Sequence, residues 1–571
     1  MKRVVIFFAI ALVCAAVGRA AYQAAVSPEP PLSKYVPAGS LLYLEAQDFS
    51  SLLADWNSSA QKQQWIATSN YEVFSRSRLF LRLKGASDQF AAAAGVPPNM
   101  NFLSQVAGTR SALALYDIGN LEFLYVTYLP SAKSMQTTLW QTRAKFEPRS
   151  AGGVSFYVRR DPESQKEVAF AVSGDYLLLA TREDLLAGAL QLMSGSQDRT
   201  KDRTIESEPW WSQSVASAGP AGDLRMVMDL EKIVPSPYFR TYWAQQNITD
   251  MKQYSAAVSD LFRSSKQYRE ERVLIRKTQP PPIIAGGLEA AADLVRLIPE
   301  SAGIYETKAY PSADSCFDLI ETKLLAPHLG PAPPSEIAPQ VQLTSGETGT
   351  GSDLETRIDR PAVERPVTPQ STSALKELFD KTQILASLQV QSTGRDQSGV
   401  FIRMHSAIVL AAASDWDEAA VQSALTGFVR PGLTASEHGV AWQQKSGYSE
   451  LDGLWPLTAS VRGKYLLVAD DPALIEAMLA NFNHKPDVKA AVFVAGFNHE
   501  RERANFARFS GVVDRPSLAQ SNMPGMDRQP QFFSENMASL SSTLSGISAE
   551  RIMVRVDEDK VLQTVTYEWS R

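Results

Sequence analysis

The sequence predicts an α+β fold: two related modules of mainly antiparallel sheet with packed helices. Three observations carry that expectation. Landmarks recur in the same order in both halves of the chain, short apolar runs lead into single amphipathic helices, and neighbouring apolar runs are joined by short polar turns. Strands joined by tight turns pair antiparallel, whereas parallel pairing needs a crossover of a dozen or more residues.

The first element is a leader. Met1, Lys2 and Arg3 precede an uncharged run over residues 4–17, followed by Gly18 and Arg19. That run is shorter than the roughly 20 residues a helix needs to span about 30 Å of hydrocarbon. A basic start, a short apolar core and small residues form the layout of a secretory signal. An uncleaved anchor stretched through residues 20–26, with Arg19 snorkelling, fits the same residues. Either reading assigns residues 1–20 to a signal peptide or membrane anchor and exports the remainder to the periplasm or cell surface. Cys14 follows Val13 and has Ala11 three places before it, where a lipoprotein site wants a small residue and usually Leu. Cys316 is then the single thiol beyond the leader, and within the helical run SADSCFDLIETKLL it reads as a small buried apolar residue.

Four landmarks follow in pairs. VPAGSLLY (36–43) matches IPESAGIY (298–305), aligning Pro37 with Pro299 and Tyr43 with Tyr305. GGVSFY (152–157) matches HGVAWQ (438–443). GDYLLLATREDLLAGAL (174–190) matches GKYLLVADDPALIEAML (463–479) without a gap, aligning Gly174 with Gly463 and Tyr176 with Tyr465. ERVLIR (271–276) matches ERIMVR (550–555). Ordered recurrence predicts an internal duplication, with modules over 34–285 and 286–571.

The third landmark has a physical explanation. Its short apolar run suits a strand buried on both faces. Gly174 and Gly463 stand where a tight turn needs positive φ. Asp471 and Pro472 provide an N-cap and a first helical position, and Thr181 and Asp184 resemble a capping box. Leu185, Leu186, Ala189 and Leu190 then share one helical face, as do Leu474, Ile475, Met478 and Leu479.

Elsewhere, residues 111–116 and 121–128 read as a hairpin around the turn Asp117-Ile118-Gly119-Asn120, and 400–412 as an apolar strand. Residues 552–556 begin a C-terminal hairpin whose second strand places Val561, Gln563, Val565, Tyr567 and Trp569 on one face. Residues 326–373, rich in Pro, Gly, Ser and Thr, predict a disordered insertion in the second module. QPPP (279–282) separates the modules, and 515–530 forms a loop before a helix-like 534–544.

Composition narrows the chemistry. A chain of 571 residues, 44% hydrophobic and 21% charged, is globular. A net charge of -6 argues against a nucleic-acid partner. Two cysteines exclude a disulfide framework, a thiolate zinc site and an iron–sulfur cluster. His328, His405, His438, His484 and His499 are scattered, and His499-Glu500 lacks a second histidine at helical spacing. No nucleophile elbow or phosphate loop is present. Ser59 and Lys62, like Ser373 and Lys376, match a serine–lysine spacing without that chemistry's other elements. Trp210 and Trp211 fit a stacking platform, but a helix docking both indoles onto the sheet is favoured. No catalytic, cofactor-binding or metal residue is assigned, and no cofactor is expected. The residues singled out are the packing landmarks Pro37, Tyr43, Gly174, Tyr176, Pro299, Tyr305, Gly463 and Tyr465.

The opening motif (36–43) followed by 174–190 resembles a family of uncharacterised bacterial extracytoplasmic proteins, a domain of unknown function with a signal or anchor and α+β modules. Members open on a "P-a-d-t-x-x-y" strand and later carry a "g-d-y-l-v-l-a-s" strand leading into a helix. The resemblance covers most of the chain after residue 34, with the Pro-rich insertion as a departure. It implies location and fold, and no catalytic residue.

These observations point to an exported cell-envelope protein with a non-catalytic binding or scaffolding role. Its partner would be an envelope protein or an apolar ligand, with membrane contact only through an uncleaved leader. The first alternative is a carrier of an apolar ligand or lipid, held between a curved sheet and its helices. The second is an enzyme whose site assembles from distant residues.

Overall fold

The computed structural model describes residues 30–67, 69–195, 203–237, 251–278, 286–325, 373–395, 402–433, 441–451, 457–488, 490–503, 546–557 and 559–569. The expected leader, the insertion up to residue 372, the separator at 279–282 and the segments 515–530 and 534–544 lie outside the described residues. The chain divides into two compact units: Met1–Gln63, Glu72–Phe262 and Arg272–Lys277 form the first, and Gln64–Tyr71, Arg263–Glu271 and Thr278–Arg571 the second.

The first unit is one sheet. Its strands are β1 (Leu42–Ala46), β2 (Ser111–Asp117), β3 (Glu122–Tyr128), β4 (Glu147–Ala151), β5 (Val154–Arg160), β6 (Glu167–Ser173), β7 (Tyr176–Ala180), β8 (Leu224–Asp229), β9 (Tyr254–Arg263) and the second half of β10 (Gln267–Arg276), from Arg272 onward. Across the sheet the order is β4-β5-β6-β7-β3-β2-β1-β8-β9-β10, antiparallel from β4 to β9. The expected hairpin is β2–β3, its turn fixed by the Asp117 carboxylate, which accepts from the Asn120 N–H at 2.9 Å.

Helices that touch the cleft precede β2: α1 (Phe49–Ser58), α2 (Arg78–Ala94) and α3 (Met100–Val106). Each starts on a side-chain cap, from Asp48, Ser77 and Asn99 respectively, and α2 ends on Gly95 at φ +71°. After β7 come α4 (Glu183–Ser194) and α5 (Pro209–Ser217). Leu185, Leu186, Ala189 and Leu190 of α4 are buried, as the helical spacing predicts. Trp210 and Trp211 of α5 are buried too, so the tryptophan pair is a docking element. The capping box expected from Thr181 and Asp184 does not form. The Thr181 hydroxyl accepts instead from the Phe123 N–H at 2.8 Å, tying β7 to β3, and Arg182 occupies the N-cap position without a side-chain cap.

The second unit repeats this plan. Its strands are β11 (Ile304–Ala309), β12 (Ile384–Arg395), β13 (Ile402–Ala412), β14 (Trp442–Gln444), β15 (Ser449–Leu451), β16 (Leu457–Arg462), β17 (Tyr465–Ala469), β18 (Phe493–Asn498), β19 (Ile547–Asp557) and β20 (Lys560–Trp569). Their order is β14-β15-β16-β17-β13-β12-β11-β18-β19-β20, again antiparallel. Adding ten to each strand number of the first order produces the second.

Register agrees as well as order. The row Val258–Val227–Tyr43–Ala114–Leu124–Ala180–Ala169 in the first unit has its counterpart in Arg551–Gly496–Tyr305–Val390–Ala407–Ala469–Thr458. The first and third landmarks therefore occupy the same places in the two sheets. The other two are displaced by one strand. GGVSFY turns from β4 into β5, whereas its partner motif leads into β14, the counterpart of β4; ERVLIR lies on β10 and ERIMVR on β19, the counterpart of β9. Short strands with alternating apolar residues resemble one another whatever their place in a sheet.

Helices α6 (Gly287–Leu294), α7 (Ala313–Ile320), α8 (Ser373–Lys381), α9 (Glu418–Leu433) and α10 (Pro472–Ala480) cover the second sheet. One face packs α6 and α10 around Leu294, Leu388, Val409, Leu467 and Ile475. The other packs α7, α8 and α9 around Phe317, Phe379, Ile408, Leu410 and Leu425. The Asp471 cap of α10 forms as expected, accepting from the Ala473 N–H at 3.0 Å with Pro472 at the first position. Cys316 is buried on α7. Among the described residues no helix is long and apolar enough to cross a membrane.

Candidate ligand-binding cleft

The first unit contains a cavity of about 1380 Å³, larger than the roughly 300–1,000 Å³ of ordinary small-molecule pockets. Its floor is the sheet face formed by Leu44 and Ala46 of β1, Leu113 and Leu115 of β2, Phe123 and Tyr125 of β3, and Leu179 of β7. Alternation along each strand puts these residues on one side, and register stacks them in rows: Leu44–Leu113–Tyr125–Leu179, and Leu115 beside Phe123. Opposite lie Leu83, Ala86 and Phe90 of α2, spaced by three and four residues, with Phe102, Leu103 and Val106 of α3.

This face is incompletely covered. Leu44, Leu113, Leu115, Phe123 and Phe90 are only half-buried, and Leu83 remains 45% exposed. The second unit treats the same positions differently. By register, Leu44 corresponds to Glu306, Leu113 to Gln389, Leu115 to Gln391 and Phe123 to Ser406. All four counterparts are polar: Glu306 is exposed, Gln389 half-buried, and Gln391 and Ser406 are buried.

One end of the cavity is polar. The β2–β3 turn brings Asn120, Leu121 and Glu122, the β5–β6 turn brings Arg160, Ser164, Gln165, Lys166 and Glu167, and the end of β7 brings Thr181, Arg182, Glu183 and Asp184. Pairing of Leu124 with Ala180 and of Arg160 with Glu167 places these three segments at the same edge. Arg182 donates to Glu122 at 2.9 Å and to Asp184 at 2.9 Å, and these bonds hold its guanidinium more firmly protonated than usual. Burial raises the Glu167 carboxyl above its ordinary range, against the pull of Arg160 at 3.5 Å. At the opposite end the polar groups satisfy one another: the Tyr125 hydroxyl donates to the Val106 carbonyl at 3.0 Å, and the Ser111 and Thr127 hydroxyls lie 2.6 Å apart.

None of the eight landmark residues lines the cleft. Tyr43 is fully buried on the other sheet face, where its hydroxyl donates to Glu45 at 2.8 Å; burial, then the Glu45 charge, push that phenol well above its usual range. The Pro37 carbonyl accepts from Tyr116 at 2.7 Å. Tyr176 packs edge-on to Tyr35 and Tyr128. Gly174 and Gly463 adopt φ +55° and +57°, as their turns require. In the second unit Pro299 is buried, Tyr305 lies against Gly496, and the Tyr465 hydroxyl donates to Asp293 at 2.6 Å.

The serine–lysine spacings dissolve into local structure. The Lys62 N–H donates to the Ser59 hydroxyl at a helix start, and Lys376 pairs with Asp314 at 2.6 Å. His405 and His499 each approach one carboxylate, of Asp470 and Glu550, on different strands. Among the described residues no group of three or more His, Cys, Asp or Glu is placed to hold a metal.

The cleft residues were missed because its floor is built from strands whose mutual register is non-local. A local signal existed: LQVQ in β12 alternates polar and apolar residues, whereas ALAL in β2 is apolar on both faces.

No protein-family model matches the chain, and no curated protein matches it. Three solved structures of TP0453, in crystal forms I, III and IV, are similar at 12% identity, covering 45%, 44% and 43% of this chain and 82%, 82% and 80% of theirs. Each has a TM-score of 0.23, too low to transfer a fold or a role.

Proposed function

We propose that this protein is an exported binder of an amphiphilic ligand, whose apolar tail occupies the cleft of the first unit. The observation that carries this reading is the contrast between equivalent sheet positions: Leu44, Leu113, Leu115 and Phe123 against Glu306, Gln389, Gln391 and Ser406. An antiparallel sheet with one solvated face is ordinarily polar there. Each half-buried apolar side chain here forgoes part of the about 1.5–3 kcal/mol that full burial gives. A bound alkyl tail restores that burial and adds about 0.8 kcal/mol for each methylene withdrawn from water.

The basic, apolar and small-residue sequence of residues 1–20 supports export through the envelope, as a cleaved signal or a retained anchor. Shared strand order and register support descent of both units from one module. The role is binding, for which the cavity offers an apolar floor and a charged end.

The test transplants the second unit's polar face. The double variant Leu44→Glu/Leu113→Gln should still fold, because both positions are half-buried, with a modest loss of thermal stability where Leu113 packs against the core. The native chain should retain a co-purifying amphiphile, seen by native mass spectrometry and solvent extraction, and should bind a fluorescent fatty acid. The variant should do neither. A native chain that is repeatedly free of ligand and binds no alkyl probe would falsify the proposal.

A further inference from the structure

The charges at the polar end of the cleft are unevenly partnered. Every lining carboxylate has an arginine within reach: Glu122 and Asp184 share Arg182, Glu167 lies 3.5 Å from Arg160, and Glu183 lies 3.8 Å from Arg149. Lys166 differs. Its ammonium donates to the Asn120 carbonyl at 3.3 Å in an exposed bond, and among the described residues no carboxylate lies within ion-pair distance. An ammonium has three donors, so this contact leaves capacity for an anion.

The turn that presents Lys166 is built with care. The Asp161 carboxylate accepts from the Ser164 N–H at 2.8 Å and from its hydroxyl at 2.6 Å. The Gln165 N–H donates to the Asp161 carbonyl at 2.9 Å, and the Asp161 N–H donates to the Lys166 carbonyl at 2.8 Å. Gln165 is held at φ +56°, and Leu121, next to Asn120 on the facing turn, at φ +52°. Of the described non-glycine residues at positive φ, namely Leu121, Gln165 and Tyr310, two therefore flank this one contact. Backbone strain of this kind persists where surrounding structure enforces it, and it concentrates at ligand clamps.

We propose that the cleft selects amphiphiles with an anionic head, Lys166 pairing with the head while the tail lies along Leu44, Leu113 and Phe123. This inference rests on the cleft being a tail-binding site. The carboxylate of a fatty acid and the phosphate of a lipid share the recognised chemistry, a compact anion on an alkyl chain.

The test uses the full chain and four probes with one tail: dodecanoate, dodecyl phosphate, dodecanol and dodecyltrimethylammonium. One or both anions should bind roughly tenfold tighter than dodecanol, the scale of a hydrogen bond to a charged group, and the cation should bind weakest. Whichever anion binds better identifies the source as free acid or phosphate ester. Lys166→Met should bring the anion-to-alcohol ratio close to one, and Lys166→Arg should preserve the ratio. Equal binding of anion and alcohol by the native chain, or a ratio that survives Lys166→Met, overturns the head assignment alone. Failure of all four probes overturns the tail site and this inference with it.

Discussion

Tyr43 meets Trp211 edge to face, with ring centroids 4.8 Å apart and planes at 88°. The contact joins the centre of the first sheet to α5, on the sheet face away from the cleft. It also seals a polar chain in which Tyr43 donates to Glu45 and Glu45 accepts from Arg110 at 2.7 Å.

Truncating that indole should be severe. Trp211→Ala is expected to destabilise the first unit by about 3–5 kcal/mol, since it opens a cavity and strips an aromatic contact. Trp56→Ala, at a site 49% exposed, should change stability by about 0.5 kcal/mol or less. Chemical denaturation of both variants checks the contrast, and comparable losses would contradict it.

A buried ion pair offers a second test. Asp260, only 3% exposed, accepts two bonds from Arg225 at 2.8 Å and one from the Gly222 N–H at 3.0 Å. Asp260→Ala leaves a shielded guanidinium without its partner and should cost about 3–5 kcal/mol. The double variant Asp260→Ala/Arg225→Met should recover much of that loss in urea titrations. A double variant no more stable than the single one would refute the account.

Two glycines separate backbone strain from steric clash. At Gly174, with φ +55° and open space where a methyl would stand, alanine should cost about 1–2 kcal/mol from conformation alone. At Gly496 a Cβ would stand 2.2 Å from the Tyr305 ring, so the ring must move. Gly496→Ala should therefore lower the melting temperature more than Gly174→Ala, and the reverse ranking would refute the packing described for Tyr305.

Cys316 carries a pH dependence. Burial pushes its thiol up to about 12, while an unfolded thiol ionises near roughly 8.5. The folded state thus holds the proton that the unfolded state loses. The thiol's contribution to stability is complete below about 8.5 and is lost as pH rises toward 12. Cys316→Ala should show a shallower alkaline decline than the native chain. Cys316 of the native protein should react with an aromatic disulfide reagent only as fast as the chain unfolds; rapid labelling located at Cys316 at pH 8 would contradict the burial.

Legibility differed by element. The unit from Gly174 to Leu190 was readable because each of its parts is local: a positive-φ glycine, a five-residue apolar strand and a helical stripe. The counterpart of Tyr43 at Tyr305 was readable for the same reason. The capping box at Thr181 was misread because its hydroxyl serves Phe123 across the sheet, a partner 58 positions away in sequence. The second and fourth landmark pairs failed because alternation alone does not say which strand of a sheet a segment becomes.

The sequence by itself determined the α+β class, the antiparallel hairpins, the packing role of Trp210, Trp211 and Cys316, and the repeated strand–turn–helix unit. All of these follow from spacing within a few residues. Only the tertiary structure decided that Leu44, Leu113 and Phe123 line a cleft, that their register counterparts are Glu306, Gln389 and Ser406, and that Lys166 stands at the polar end of the cleft beside Asn120. Those facts depend on register between strands far apart in the chain and on how closely α2 and α3 cover the sheet, and local periodicity carries neither.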